Sequence, residues 1–63
     1  MRNKDLRLEY VEDWIDKIRK EGIDLTEWEE NFISSISEQW DNRGYLTVKQ
    51  LDVLERIYLE KIK

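Results

Sequence analysis

Hydrophobic residues recur at three- and four-residue spacing in three separate stretches of this chain, with polar residues at the positions between them. This periodicity is typical of helices that each bury one face. It predicts helices over about residues 5–21, 27–40 and 48–62. The expected apolar faces are Leu8, Val11, Trp14, Ile15 and Ile18; Trp28, Phe32, Ile33, Ile36 and Trp40; and Leu51, Val53, Leu54, Ile57, Tyr58 and Ile62.

These apolar faces are broader than one partner helix would cover. We therefore expect an all-α fold, a small three-helix domain in which helices 2 and 3 form an antiparallel hairpin and helix 1 packs across it. A hairpin that dimerises would bury the same broad faces, so a homodimer stays open as an alternative. The chain has 63 residues, which is the size of a single domain.

Helices 2 and 3 are expected to begin with the same motif. Thr26 stands three residues before Glu29, and Thr47 stands three residues before Gln50. In such a capping box the Thr oxygen accepts a hydrogen bond from the first helical turn, and the Glu or Gln side chain returns one to the Thr N–H. One helical template is therefore used twice in this chain.

The connection between helices 1 and 2 is predicted from a glycine. Gly22 is expected in the left-handed conformation just after helix 1, with Ile18 and Ile23 as the apolar contact of a Schellman motif. The start of helix 2 has an alternative to the Thr26 box, because Asp24 and Glu27 have the same spacing.

Two further helix ends have sequence signals. Asn3 or Asp5 is expected to cap helix 1. Leu46 precedes the Thr47 cap and is expected to contact Leu51, as in a hydrophobic staple. The linker over residues 41–46 is short enough to make helices 2 and 3 an antiparallel hairpin.

Composition removes several kinds of site. The sequence contains no Cys and no His, which excludes disulfides and thiolate- or imidazole-based zinc sites. No apolar stretch approaches the roughly 20 residues that a membrane span needs, and no signal peptide is visible. We expect a cytoplasmic protein with no membrane segment and no cofactor.

Acidic residues are concentrated in the middle of the chain. Residues 21–41 contain seven acidic side chains and no Lys or Arg, whereas the whole chain has a net charge of −4. One interpretation is a solvated helix whose first-turn carboxylates are favoured by the helix dipole. The other is a surface for a basic partner, as in an acidic anti-defence inhibitor or a mimic of nucleic-acid phosphate, with Glu27 and Glu30 as contacts.

Neither calcium binding nor catalysis is expected. Residues 39–50 can be aligned with an EF-hand loop that has Gly44 at its sixth position, but Arg43 and Gln50 occupy two ligand positions and only Asp41 offers a carboxylate. Without His or Cys, catalysis would need paired carboxylates, Lys, Tyr or an activated Ser. The carboxylates here have the spacing of exposed helix positions, so we expect no enzyme.

Direct nucleic-acid binding is an alternative that the basic residues near the end of the chain support. Tyr45 could stack on a base within a basic groove. The sequence pI of about 4.8 opposes phosphate binding, and the linker is longer than the turn of a DNA-reading helix-turn-helix. The candidate basic contacts are Arg43, Lys49, Arg56 and Lys61.

The last forty residues resemble a short helical-hairpin segment that recurs in phage and bacterial DNA-metabolism proteins such as helicases and primases. The resemblance implies a small phage-like accessory domain that docks on replication, recombination or defence machinery. It suggests Lys49 and Gln50 as contacts, although the capping role of Gln50 explains that residue equally well. The matching positions are Leu25, Thr26, Trp28, Glu29, Phe32, Ile33, Ser35, Leu46, Thr47, Lys49, Gln50 and Leu54.

The sequence as a whole favours a non-enzymatic protein-interaction module with a protein partner. The chain specifies its helices well, contains no recognisable group of catalytic residues, and concentrates acidic residues in its middle third. We expect partner contacts from exposed aromatic rings and from charged residues of helices 2 and 3. The expected contact residues are Trp28, Trp40, Tyr45, Lys49, Glu27 and Glu30.

Overall fold

A computed structural model describes residues 5–62, whose regular secondary structure is entirely helical. A 3-10 helix, Leu6–Tyr10, leads directly into α1, Val11–Glu21. Two further α-helices follow, α2 at Glu27–Arg43 and α3 at Val48–Lys61. No strand occurs among the described residues, so the prediction of a small all-α three-helix domain is confirmed.

α1 and α3 run in the same direction, and they share the most extensive helix–helix contact in the described part of the chain. Near the start of both helices, Nη1 of Arg7 lies 2.8 Å from a carboxylate oxygen of Asp52. Near the end of both, the Ile23 N–H donates to the Lys61 carbonyl oxygen over 3.2 Å. Because these contacts join start to start and end to end, the two helices are parallel neighbours.

α2 runs antiparallel to α3. Gln39 near the end of α2 and Gln50 in the first turn of α3 exchange two side-chain hydrogen bonds, at 2.9 and 3.1 Å. At the opposite end, Oε1 of Glu29 lies 3.4 Å from Nζ of Lys61. The expected hairpin of helices 2 and 3 is therefore present, and α1 packs against it mainly through α3.

The core between the helices is aliphatic. Aromatic rings lie at its edges, because Trp14, Phe32, Trp40 and Tyr58 are partly buried against the core but none is enclosed by it. Trp28 was expected in the apolar face of helix 2, yet 61% of it is exposed. The buried side chains of this core are Val11, Ile15, Ile18, Ile33, Ile36, Leu46, Leu51, Leu54 and Ile57.

Both capping boxes form as expected. The Thr26 hydroxyl oxygen accepts from the Glu29 N–H at 3.1 Å, and the Glu29 carboxylate accepts from the Thr26 N–H at 2.9 Å. Thr47 and Gln50 make the same two bonds at the same distances. The alternative start of helix 2 at Asp24 is wrong, because Asp24 lies in the turn with a φ of 59°.

The Schellman motif expected at Gly22 does not form. Gly22 has a φ of −64° and a ψ of 137°, so it is extended rather than left-handed. The N–H of Ile23 is donated to Lys61 of α3 instead of returning to α1. Glycine is still required here, because a Cβ at this position would lie 2.5 Å from the carbonyl oxygen of Ile18.

Helix 2 is longer than the sequence indicated. Polar residues 41–43 complete its last turn, although their composition is that of a linker. The helix ends at Gly44, whose φ of 77° is left-handed and whose N–H donates to the Trp40 carbonyl oxygen at 2.8 Å. The connection between α2 and α3 is therefore only the four residues 44–47.

The first part of helix 1 is a 3-10 helix, where the periodicity predicted an α-helix. The Leu8 N–H donates to the Asp5 carbonyl oxygen at 3.1 Å, which is the three-residue bond of a 3-10 turn. The Asp5 carboxylate accepts from the Arg7 N–H at 3.0 Å. The Arg7 guanidinium also pairs with Asp52 and Glu55 of α3, so this tight turn is fixed to the neighbouring helix.

Asp5 is thus the cap of this segment, while Asn3, the other expected cap, lies outside the described residues. The hydrogen bonds from the Arg7 side chain and backbone lower the pKa of Asp5 to about 2. Hydrogen bonds to Asp5, Asp52 and Glu55 raise the pKa of Arg7. The Arg7 side chain is 23% exposed, so the cluster is only partly shielded from water.

The two glycines are expected to fail for different reasons when substituted. Gly44→Ala should cost about 1 kcal/mol because of its left-handed backbone, and Gly44→Asn should cost less because Asn tolerates that conformation. Gly22→Ala and Gly22→Asn should both cost more, since either Cβ meets a backbone oxygen. Urea unfolding of the four variants measures these differences. Greater stability of Gly22→Asn than of Gly22→Ala would contradict the steric explanation.

Acid should weaken the Arg7 cluster within a definite pH window. The folded pKa of Asp5 lies below its unfolded value of about 3.9, so its stabilisation is complete only above about pH 5 and is lost as the pH falls through about 2. Thermal unfolding followed by circular dichroism between pH 2 and pH 6 should show a shallower acid decline for Asp5→Asn than for wild type. Asp13→Asn is the control for loss of one carboxylate, and a parallel decline in all three proteins would contradict this prediction.

Candidate interaction surfaces

The six expected contact residues do not form one surface. Trp28 and Glu30 are two positions apart on α2, so they point in directions about 160° apart around its axis. Trp40 lies on the same side as Glu30, between α2 and α1. Tyr45 and Lys49 lie at the connection between α2 and α3, and Glu27 is exposed in the first turn of α2.

Trp28 stands outside the core but is held in place by a neighbour. Its ring stacks on Phe32 with the two centroids 5.3 Å apart and the planes inclined by 9°. Phe32 is itself packed against the core. The exposed indole is therefore supported on one face and open on the other, as in an aromatic contact residue.

Trp40 is fixed by a polar contact with α1. Its indole Nε1–H donates to Oε2 of Glu12 over 3.1 Å, which joins the last turns of α2 to the first turns of α1. Beside this bond, a surface hollow of about 350 Å³ lies between α1 and α2. Its lining includes Glu12, Asp13, Asp16, Arg19, Trp40 and Asp41, with Ile15 beneath them.

A second hollow continues the first along the same two helices. It has a volume of about 260 Å³, and its lining includes Arg19, Leu25, Glu30 and Ile33. Arg19 lines both hollows. We refer to the pair of hollows as the α1–α2 groove.

The α1–α2 groove is strongly acidic. Five carboxylates line it against the single cation of Arg19. Within residues 5–62, only Asp16 of these five has an ion-pair partner, Lys20 at 3.4 Å. Both members of that pair are well exposed, so the pair neutralises the groove weakly. The five carboxylates belong to Glu12, Asp13, Asp16, Glu30 and Asp41.

The stripe of exposed acidic residues along α2, two of which line the α1–α2 groove, is interrupted. Glu27, Glu30, Glu38 and Asp41 are all exposed on one side of the helix. Ser34 lies on that side between the first pair and the second. The phosphate-mimic interpretation needs a continuous stripe, so α2 alone meets this requirement only in part.

Lys61 was a candidate nucleic-acid contact, but its side chain is engaged in contacts within the molecule. Its ammonium donates to the Asp24 carbonyl oxygen at 3.1 Å and lies 3.4 Å from the Glu29 carboxylate. The side chain is only 19% exposed. The Thr26 N–H, and after it the Lys61 contact, lower the pKa of Glu29. Lys61 therefore closes the α1–α2 turn onto the end of α3.

The other three basic candidates, Arg43, Lys49 and Arg56, are exposed, and none has an ion-pair partner in the described part of the chain. Tyr45 beside them is 45% exposed. The four-residue connection 44–47 also has the length of a helix-turn-helix turn. The sequence argument that this linker is too long for such a motif was wrong.

Sequence reasoning missed two features. The acidic residues that α1 contributes to the groove were not singled out, although Glu12, Asp16 and Arg19 have the spacing of one helix side. A row of stacked rings was also missed. Trp14 stacks on Tyr10 and on Tyr58 with centroid distances of 5.8 and 5.4 Å. The four-residue spacing of Tyr10 and Trp14 was the available signal.

Among residues 5–62, no group of three or more acidic side chains is placed to hold a metal ion. In the same residues, no buried side-chain nitrogen or oxygen lacks a hydrogen-bond partner. The helices described are also too short or too polar for any of them to traverse a lipid bilayer.

The chain matches no protein-family model, no curated protein and no solved structure. The resemblance of its last forty residues to phage and bacterial DNA-metabolism proteins therefore stays a prediction.

Proposed function

We propose that this chain is a non-enzymatic protein-interaction module and that its contact surface is the α1–α2 groove. The observation that carries the proposal is the combination of an apolar floor with carboxylates that have almost no cationic partner. The sequence resemblance adds a setting, a phage or mobile-element accessory protein that acts on replication, recombination or defence machinery. The cysteine-free sequence adds a cytoplasmic location.

The groove has the layout of a protein interface. Trp40 and Leu25 are partly buried along its floor, above the buried Ile15 and Ile33. Protein interfaces commonly combine an apolar centre with a polar rim, and Trp is enriched among the residues that dominate binding. Trp40 is also pre-positioned by its bond to Glu12, so little side-chain freedom is lost when a partner binds.

The proposal predicts that a partner is lost when the groove charge is reversed. The tagged chain is used to capture proteins from an extract of the native host or an infected cell. The double variant Asp13→Lys/Asp41→Lys should lose them, because both residues are exposed on the groove rim. Circular dichroism verifies that the variants fold.

The matched control is Glu9→Lys/Glu60→Lys, which makes the same change in net charge at exposed residues outside the groove. Captured proteins should persist with this variant. Equal capture by the groove variant and wild type would contradict the proposed surface, as would equal loss with both double variants.

Nucleic-acid binding is the second candidate, and two observations favour it. The turn between α2 and α3 has only four residues, and Arg43 and Lys49 flank it as exposed cations without ion-pair partners in the described chain. Lys49 and Arg56 are seven residues apart, so they share one side of α3. The net charge of −4 acts against this candidate.

For this second candidate, labelled double- and single-stranded DNA should bind at low salt and dissociate as the salt concentration rises. The variant Arg43→Ala/Lys49→Ala/Arg56→Ala should bind more weakly and with a smaller salt dependence, because fewer phosphates are neutralised. Gel retardation of the labelled DNA at two salt concentrations measures both effects. Absence of binding at low salt rules this candidate out.

A further inference from the structure

We propose that the partner segment in the α1–α2 groove is a cationic amphipathic helix, with its apolar side on the floor and its Lys or Arg side chains against the rim. This inference rests on the proposed function above and specifies the chemistry of the partner. The observations that carry it are the charge balance of the groove, its length and the position of Arg19.

Charge complementarity selects the class of partner. Five carboxylates face one guanidinium in the groove, and Arg43, the only Lys or Arg of α2, lines neither hollow. Lys61, which lies against the first turn of α2, is already paired with Glu29. An anionic partner would meet this field unfavourably, whereas a cationic segment is attracted to it and oriented by it.

The groove length sets the size of the segment. Glu30 lines one hollow and Asp41 the other, and eleven helical positions separate them. At 1.5 Å per residue this is about 17 Å. A helix of about 12 residues, or three turns, spans that distance and presents one apolar side to the floor.

Arg19 adds a requirement to the charge pattern. It lines both hollows, so a cation lies where they meet. It is exposed and has no ion-pair partner among the described residues. A segment with positive charges at both ends and none in the middle is therefore favoured over an unbroken run of Lys. Removal of Arg19 should strengthen the binding of such an unbroken run.

The probe is a labelled peptide of about 12 residues with Leu on one helical side and Lys on the other. Its twin has Glu in place of each Lys. Fluorescence anisotropy with the full chain measures the Kd at two salt concentrations. The Lys peptide should bind and weaken as the salt concentration rises, whereas the Glu peptide should not bind.

Variants locate the binding. Asp13→Lys/Asp41→Lys should raise the Kd of the Lys peptide about tenfold or more, while Glu9→Lys/Glu60→Lys should change it much less. Arg19→Ala should lower the Kd about threefold, because the repulsion between Arg19 and the Lys side chains of the peptide is lost. Arg56→Ala should leave the Kd nearly unchanged. A gain in affinity on removal of Arg19 is not expected from general damage to the fold.

Three outcomes would overturn this inference. The first is no binding of the Lys peptide at low salt. The second is equal weakening by the groove and control variants, which indicates unspecific attraction. The third is concentration-dependent self-association that Asp13→Lys/Asp41→Lys abolishes in sedimentation, since the occupant is then a second copy that contributes its own exposed cations.

The proposed function and this inference fail in different ways. If host proteins are captured through the groove but the Lys peptide does not bind, the interaction module stands and the cationic helix is wrong. If capture is insensitive to the groove variant, the proposed contact surface itself is wrong. Support for both requires groove-dependent capture together with groove-dependent binding of the Lys peptide.

Discussion

The junction at Lys61 is the interaction on which the arrangement of all three helices depends. Its carbonyl oxygen accepts the Ile23 N–H, and its ammonium binds the Asp24 carbonyl oxygen and the Glu29 carboxylate. One residue therefore attaches the end of α1, the α1–α2 turn and the first turn of α2 to the end of α3. No covalent crosslink is available to a chain without cysteine, so this closure relies on polar contacts over an aliphatic core.

At the other end of the molecule, a single residue again joins several segments. Arg7 bonds Asp5 on its own segment and reaches Asp52 and Glu55 on α3, so a single guanidinium both shapes the first turn and positions it. Near this end Trp40 joins α2 to α1 through Glu12, and the facing sides of the two helices form the groove. The surface proposed for binding thus lies between this contact and the Lys61 junction.

Local chemistry was enough to predict much of the fold. The two capping boxes and the aliphatic positions of the core follow from short-range spacing, as Thr47 with Gln50 illustrates. Gly22 was misjudged because the partner of the next N–H lies on α3, far along the chain. The groove was not predictable for the same reason: Glu12, Glu30 and Asp41 come together only once the relative placement of α1 and α2 is known.

The purely aliphatic interior leaves the three indoles outside it, in three different surroundings. Trp14 is stacked on Tyr58 between α1 and α3, Trp40 is bonded to Glu12 between α1 and α2, and Trp28 faces water. Trp14 and Trp40 therefore each contact a different pair of helices at the edge of the core, whereas Trp28 contacts solvent and Phe32 of its own helix. The fluorescence emission of Trp14 and Trp40 consequently depends on how the helices are docked. Variants that keep a single Trp separate the contributions of the three residues.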